Sequence, residues 1–306
     1  MTTGSILITG ASGLIGHQLL ARLTKEGRRT IGIDVVAKPG HLPVTIADLG
    51  DVHRLHELAA RENVTSVIHC GAVSGPMVMI ENPHRIIEIN VGGTANVLEL
   101  ARVCRMKRFV FCSSTSAYGP TAEEDIGEQG IPEDVCLRPS SVYASTKVAC
   151  EQLLAGYRQQ HALDAVAVRL CWVYGPGRTT DCVIRTMIED AYAGRPTRLP
   201  YGGGFPRQFI HVDDAVDALL RAHDAASCPR PVYNATGRSF LTIGEIAETV
   251  RTVLPQANIT VDHGPDPLDD FQHRFDISAI QGDLGFAPRF SLEDGIRSYS
   301  TWLQSR

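Results

Sequence analysis

The run Thr9-Gly-Ala-Ser-Gly-Leu-Ile-Gly16 closes an apolar stretch, Ser5-Ile-Leu-Ile-Thr9, and opens a helical pattern that extends from about Gly13 to Glu26, with Gly27 as its stop. A strand that turns through glycines straight into a helix is the first half of a βαβ unit. The pattern then repeats. Strand-like runs at 29–34, 44–48, 65–69, 107–112 and 165–169 are separated by helical patterns at 52–62, 83–104 and from Tyr143 to about 160. Most of these strands are apolar along their length rather than alternating, so both faces of the sheet they form are covered. Right-handed crossovers turn such a series into a doubly wound parallel sheet, an α/β fold of the Rossmann type, with ligands at the carboxyl ends of its strands.

After Gly175-Pro-Gly177 the texture changes, with shorter elements and more Pro, Gly and Arg. Helices are expected at 184–193 and 212–224 and a strand at 231–236, and Ser291-Leu-Glu-Asp supplies a cap and an acidic first turn for a last helix. The expected organisation is a dinucleotide-binding domain over 1–175, with 207–238 returning to it, and a smaller C-terminal substrate-binding lobe from 176–206 and 239–306. The acidic stretch 121–139 reads as a surface flap.

Composition removes several classes of function. The chain has 306 residues, 43% hydrophobic and 21% charged, with a net charge of -5 and no basic tract, which argues against a nucleic-acid partner. No apolar run approaches the ~20 residues of a spanning helix, so no membrane partner is expected. Met-Thr-Thr-Gly-Ser-Ile lacks the regions of a signal peptide. Eight cysteines are scattered without C-x-x-C or Cys/His pairing, which implies free thiols in a reducing cytoplasm and no metal site.

The three glycines have separate duties. Gly10 permits a tight turn, Gly13 lets the backbone approach a pyrophosphate, and Gly16 lets helix and strand pack closely. The helix N-terminus then offers free N–H groups to the phosphates. The spacing G-x-x-G-x-x-G departs from the commoner G-x-G-x-x-G, and three glycines alone say little. Asp34 strengthens the signal. At the end of the second strand it can accept hydrogen bonds from both ribose hydroxyls of an adenosine and repel a 2′-phosphate, and Val35-Val-Ala-Lys-Pro places no arginine beside it. The cofactor expected is NAD rather than NADP. Asp48 and Leu49, ending the third strand, are candidates for the adenine edge.

Tyr143 and Lys147 stand four apart in Ser141-Val-Tyr-Ala-Ser-Thr-Lys147, on one face of a helix. A phenol titrates near ~10 in isolation, and one that removes an alcohol proton at neutral pH has to be about three units more acidic, or ~4 kcal/mol. One ammonium ~4 Å away supplies about that much at an effective dielectric near 20. An oxidised nicotinamide adds a second positive charge. Ser114, in Phe111-Cys-Ser-Ser-Thr-Ser-Ala-Tyr-Gly119, lies just past the fifth strand and can hold the substrate oxygen against Tyr143, with Ser113 and Thr115 as rivals. A tyrosine and a lysine four apart are common by chance, so the assignment rests on the whole constellation.

That constellation resembles the extended short-chain dehydrogenase/reductase family, the group of NAD-dependent sugar epimerases and dehydratases. The matching motifs run nearly end to end: Thr9 to Gly16, Asp48-Leu49, His69-Cys-Gly-Ala72, Asn90-Val-Gly-Gly-Thr94 with Asn96, the Ser114 region through Tyr118-Gly119, Tyr143 with Lys147, Arg169 leading to Tyr174-Gly-Pro176, and Arg207-Gln-Phe-Ile-His-Val-Asp213. The resemblance implies that Leu14 and Ile15 contact the pyrophosphate and that Cys70, Gly71 and Ala72 line the cofactor. It further implies that Asn90 belongs to the cofactor site, supporting this wall and the surroundings of the lysine, and that Cys171 and Val173 approach the nicotinamide. Arg207 stands where many relatives bind a substrate phosphate. Read from its neighbours alone, it could equally form a surface ion pair with Asp213.

Two departures narrow the expected function. Dehydratases of this family resemble Ser-Thr-Asp-Glu-x-Tyr-Gly at the catalytic strand, whereas Ser114-Thr115-Ser116-Ala117 has no acid pair for eliminating water. Nucleotide-sugar members often place asparagine where this chain has Trp172, whose indole offers one donor and a large apolar surface. Substrate contacts are therefore expected from Ser114, Thr115, Trp172, Arg178 and Arg207, and Arg185 and Arg274 could also grip an anion. The expected reaction is NAD-dependent oxidation of a secondary alcohol on a small sugar-like substrate. The leading outcome is a (nucleotide-)sugar epimerase, with a net dehydrogenase of a free sugar or sugar acid as the alternative. A sensor that holds NAD without turnover fits less well, because tyrosine and lysine are both kept. A homodimer through the helices at 83–104 and 143–160 is expected from the resemblance. Leu153 and Leu154 could serve that contact or the core.

Overall fold

The computed structural model describes residues 4–267 and 269–305. Its elements begin β1 (Ser5–Thr9), α1 (Leu14–Lys25), β2 (Thr30–Asp34), β3 (Thr45–Ile46), α2 (Val52–Arg61) and β4 (Val64–His69). They continue with α3 (Pro83–Ile87), α4 (Gly93–Val103), β5 (Arg108–Ser114), α5 (Val142–His161), β6 (Ala165–Leu170) and β7 (Trp172–Tyr174). The C-terminal part adds α6 (Val183–Ala193), β8 (Thr197–Leu199), β9 (Pro206–His211), α7 (Val212–Asp224), β10 (Val232–Ala235), β11 (Phe240–Thr242), α8 (Ile243–Val253), β12 (Ile259–Val261), α9 (Ser278–Leu284) and α10 (Leu292–Gln304).

Seven strands form one parallel sheet in the order β10-β6-β5-β4-β1-β2-β3. Its strands are apolar because two cores sandwich them. One face packs Ile6, Ile8, Val110 and Val168 against α1, α7 and α9. The other packs Leu7, Val67, Phe109 and Ala167 against α2, α4 and α5. The order in which successive strands are laid down reverses between β1 and β4, which opens a crevice at the carboxyl ends of the strands.

The chain leaves this sheet at Cys171. β7 pairs instead with β9, and β9 with β11, in a small three-stranded sheet, while β8 and β12 make a two-stranded one. A third core, including Ile184, Phe209, Ile246 and Ile296, unites these strands with α6, α8 and α10. Within 207–238, α7 and β10 lie against the large sheet, and β9 belongs to the small one. The last helix starts at Ser291, whose hydroxyl accepts from the Asp294 N–H, with Glu293 and Asp294 in its first turn.

Two expectations are corrected. The single helix expected over 83–104 is broken by a π-helical turn at Glu88–Gly92, an irregularity that leaves no trace in hydrophobic periodicity. The stretch 121–139 is not a free flap. Ile131 is fully buried with Tyr118 and Phe275, bridges Phe275 in parallel, and the Glu133 carboxylate accepts from the Asn234 N–H. Among the described residues, no helix is long and apolar enough to cross a membrane.

Candidate active site

The crevice is a cleft of about 1250 Å³. Its floor is the turn after β1. Gly10 has φ +66°, and a Cβ there would lie 2.8 Å from the Cys70 carbonyl. A Cβ on Gly16 would lie 2.2 Å from the Gly10 oxygen, so α1 can press on β1 only without one. Gly13 meets only the Gly10 oxygen, at 3.1 Å, and faces open space. No side chain caps α1, and Leu14, Ile15 and Gly16 bring its first-turn N–H groups to the cleft wall. Asp34 holds the loop opposite: its carboxylate accepts from Ser12 N at 2.9 Å and Val35 N at 2.8 Å. Asp48 and Leu49 continue this wall, with the Leu49 carbonyl accepting from Asn96 at 2.9 Å. Uncapped N–H groups, a cradle without side chains and a carboxylate at the tip of β2 fit a dinucleotide.

The far wall is set by a relay beneath it. The Thr9 hydroxyl accepts from Gly71 N at 2.9 Å and lies 2.6 Å from His69 Nδ1. His69 Nε2 lies 3.0 Å from Thr94 Oγ1, which itself donates to the Asn90 carbonyl. Thr94 has therefore spent its proton, so Nε2 carries the histidine's proton and Nδ1 accepts from Thr9. Burial holds this imidazole neutral, with its pKa pushed down to about 3 and the Lys147 charge adding to the effect. Cys70, Gly71 and Ala72 sit above the relay and line the cleft.

Asn90 does not line the cleft. It stands behind the wall, donating to the Val73 carbonyl at 3.1 Å and Thr146 Oγ1 at 3.0 Å and accepting from Val73 N at 2.8 Å. Its place is to tie the post-β4 loop to α5, the supporting position behind the wall and beside the lysine's helix that the resemblance implies.

α5 begins at Ser141, whose hydroxyl accepts from Ala144 N. It brings Tyr143 and Lys147 to the cleft with only 6% and 4% of each exposed. Lys147 Nζ donates to the Cys112 carbonyl at 2.8 Å and lies 5.7 Å from the Tyr143 ring centre and 4.7 Å from that of Phe111. Burial opposes its charge, but attraction to the ionised forms of Tyr143, Cys112, Cys150 and Cys70 outweighs it and holds the ammonium's pKa above the ordinary value.

The three hydroxyl candidates separate. Ser113 donates to Glu151 Oε1 at 2.5 Å, inside a buried Glu151–Arg169 ion pair. Thr115 is buried, although it borders the cleft. Ser114 is half-buried at the cleft and accepts from Ser116 N at 3.1 Å.

Cys171, Trp172 and Val173 form the end wall, at the step from the large sheet to the small one. Arg178 reaches it from the following loop, and its guanidinium donates to the Val173 and Asp181 carbonyls at 2.5 and 2.6 Å. Arg185 turns to Glu189 and the Thr179 carbonyl, and Arg274 is exposed.

Arg207 corrects the expectation twice. It does not line the main cleft, and its ionic partner is not Asp213. It is 9% exposed behind Trp172, paired with Asp266, with its Nε 3.0 Å from Asp269 Oδ2. Its guanidinium carbon lies 4.7 Å from the Trp172 ring centre, and the indole N–H donates to the same Asp269 at 2.9 Å. Asp266 and Asp269 were missed by sequence reasoning. They stand in an irregular loop far along the chain and carry no local pattern.

Residues 6–235 match the NAD dependent epimerase/dehydratase family. Arabidopsis thaliana UDP-glucuronate 4-epimerase 4 is 26% identical over 334 residues, covering 98% of this chain and 75% of that protein. The solved structure of MoeE5 in complex with UDP-glucuronic acid and NAD is 28% identical, covers 99% of both chains and has a TM-score of 0.87. The UDP-glucose 4-epimerase of Thermotoga maritima shares the fold, with a TM-score of 0.89 at 22% identity over 98% of this chain and 99% of that one. The chain belongs to the NAD-dependent epimerase/dehydratase family and is an enzyme of the extended short-chain dehydrogenase/reductase type, using NAD to oxidise an alcohol of a small sugar-like substrate.

Proposed function

We propose that Tyr143 is the base that takes the proton from the substrate hydroxyl, that Lys147 keeps the resulting phenolate stabilised, and that Ser114 holds the substrate oxygen between them. The observation that carries this reading is a buried ammonium beside a buried phenol at the cleft wall, with a half-exposed serine at the end of β5. Bound along Gly10–Gly16 and Asp34, NAD supplies the hydride acceptor. The protein's own part is to orient the alcohol, hold the charge of its oxygen and exclude water at the end wall.

The family reading of the outcome is an epimerase, in which the ketone is reduced again on its other face before release. The second reading is a net dehydrogenase that lets the ketone go. It is favoured by one observation: the cation behind Trp172 is already neutralised by two carboxylates, which leaves little to anchor a ketone while it turns over. The test is turnover of Tyr143→Phe alongside the parent, with NADH formation and epimer exchange followed in the same assay. Loss of both signals with NAD binding retained is expected, and a fully active variant refutes the assignment. Steady NADH release identifies the dehydrogenase, and tightly held NAD with epimer exchange identifies the epimerase.

The same reading makes 1–175 with α7 and β10 the cofactor-binding unit and the remainder the substrate lobe, in a cytoplasmic enzyme. It also makes the chain a homodimer through α4 and α5. Ile87, Val103 and Val142 are exposed apolar residues on α3, α4 and α5 that such a contact would cover, while Leu154 belongs to the protein's own core.

A further inference from the structure

The relatives named above include a UDP-glucuronate epimerase and a protein solved with UDP-glucuronic acid. A nucleotide diphosphate brings two charges, and proteins hold it with free guanidinium or ammonium groups and unspent N–H donors. We infer that the Arg207–Asp266–Asp269 cluster behind Trp172 shuts the substrate end of this cleft to diphosphates, so that the substrate is an unactivated polyhydroxy compound, neutral or carrying a single charge. The inference rests on the catalytic reading given above and names its substrate class.

The charges support it. Among the described residues, the cations lining the cleft are Lys38, Arg85, Lys147 and Arg178. Lys38 stands near Asp34 at the adenosine end. Arg85 is paired with Glu88 at 3.2 Å and lies 4.0 Å from Asp48. Lys147 serves Tyr143. Only Arg178 remains near the end wall, with two backbone carbonyls already in its grasp and Asp181 on the same loop. Arg185 beyond it is taken up by Glu189 and the Thr179 carbonyl, and behind Trp172 the two carboxylates on Arg207 leave that cluster at a net charge of about -1 when both are ionised.

Space agrees with charge. The recess around Arg207 shares Thr115, Cys171 and Trp172 with the main cleft but has a volume of about 10 Å³, room for about one water. The indole borders both spaces, held by Asp269 through its N–H and lying against the Arg207 guanidinium. Pro76, Met77, Val78 and Met79, which also line the cleft, add apolar side chains. One carboxylate could still be met by Arg178, which fits a sugar acid as well as a free sugar.

The test is calorimetric titration of UDP-glucose and UDP into the NAD-saturated protein, repeated with the double variant Asp266→Asn, Asp269→Asn. Binding weaker than about 1 mM to the parent, with at least a tenfold gain in the variant, is expected. Micromolar binding of UDP-glucose to the parent overturns the inference, and so does a folded variant with no gain. Should the variant fail to fold, the parent titration still decides. The outcome is separate from the catalytic reading. UDP-glucose can bind tightly while Tyr143→Phe is inactive, which sinks only the inference, and Tyr143→Phe can stay active while UDP-glucose fails to bind, which sinks only the catalytic assignment.

Discussion

The ammonium of Lys147 donates to the main-chain carbonyl of Cys112 at 2.8 Å, which fixes the charge of α5 against the end of β5. That carbonyl lies two residues before Ser114, so one contact sets both the cation and the strand end that carries the proposed substrate-holding hydroxyl. A buried ammonium is costly unless it is matched, and here the match in the fold is the Cys112 carbonyl. Lys147→Met is therefore expected to lower kcat by at least about 100-fold. Lys147→Arg is not expected to rescue it, because a planar guanidinium cannot occupy the space of a compact ammonium. Steady-state kinetics on the two variants checks this, and near-parental kcat in Lys147→Met would remove the lysine from the mechanism.

Adjacent serines at the end of β5 should respond in opposite ways. Ser113 is buried and donates to Glu151, which also pairs with Arg169. Ser113→Ala leaves a buried carboxylate one donor short, at a cost of about 1–3 kcal/mol in stability. Its effect on kcat should be small. Ser114→Ala removes a hydroxyl from the cleft wall together with its cap on Ser116 N, so a stability loss of about 0.5–1 kcal/mol should accompany a fall in kcat of about 100-fold or more. Urea unfolding and kinetics measured on both variants separate the roles, and the reverse pattern would transfer the substrate contact to Ser113.

Much of this site was legible because its signals are local. The turn from Gly10 to Gly16, the acid at Asp34 and the Tyr143/Lys147 spacing each lie within one element or one junction, and the structure brings them to a single cleft. The large sheet was legible because its strands are buried on both faces and so read as continuous apolar runs. The small sheet was not. β7 and β11 have three residues each, and β9 pairs with partners more than thirty residues away on either side. The Arg207 partners failed for the same reason. Asp266 is 59 residues further on, in irregular backbone, whereas Asp213 is six residues away, so a local partner such as Asp213 was what the sequence suggested. Asn90 was legible as a supporting residue through its motif, but the π-helical turn that directs its amide to Thr146 and Val73 was not.

Cofactor choice should respond to Asp34. Its carboxylate caps the backbone at Ser12 and Val35 and stands where a 2′-phosphate would meet a negative charge. Asp34→Asn keeps the size and part of the hydrogen bonding but loses the charge. The expected result is NAD binding about tenfold weaker, from lost charge-assisted hydrogen bonds, and a narrowed preference of NAD over NADP. Fluorescence titration of NADH and NADPH measures both. A preference as wide as the parent's would show that the charge at this position does not decide the cofactor.

The relay under the cofactor wall gives stability a definite acid limb. His69 is neutral in the fold, with its pKa lowered to about 3 by burial and by Lys147, against an ordinary value of 6.5. The unfolded chain therefore takes up a proton that the folded one refuses. This contribution to stability is fully present above about pH 6.5 and is lost progressively as the pH falls towards about 3, with a slope of up to about 1.4 kcal/mol per pH unit from this group. His69→Asn removes the titrating ring while leaving polar atoms near Thr9 and Thr94. Its stability at neutral pH should be lower than the parent's, but its decline between pH 6.5 and 4.5 should be shallower by about one proton's worth. Thermal unfolding of both proteins across that range makes the comparison. Parallel curves would mean that another group sets the acid limb and that the Thr9–His69–Thr94 relay already exchanges its proton in the folded state.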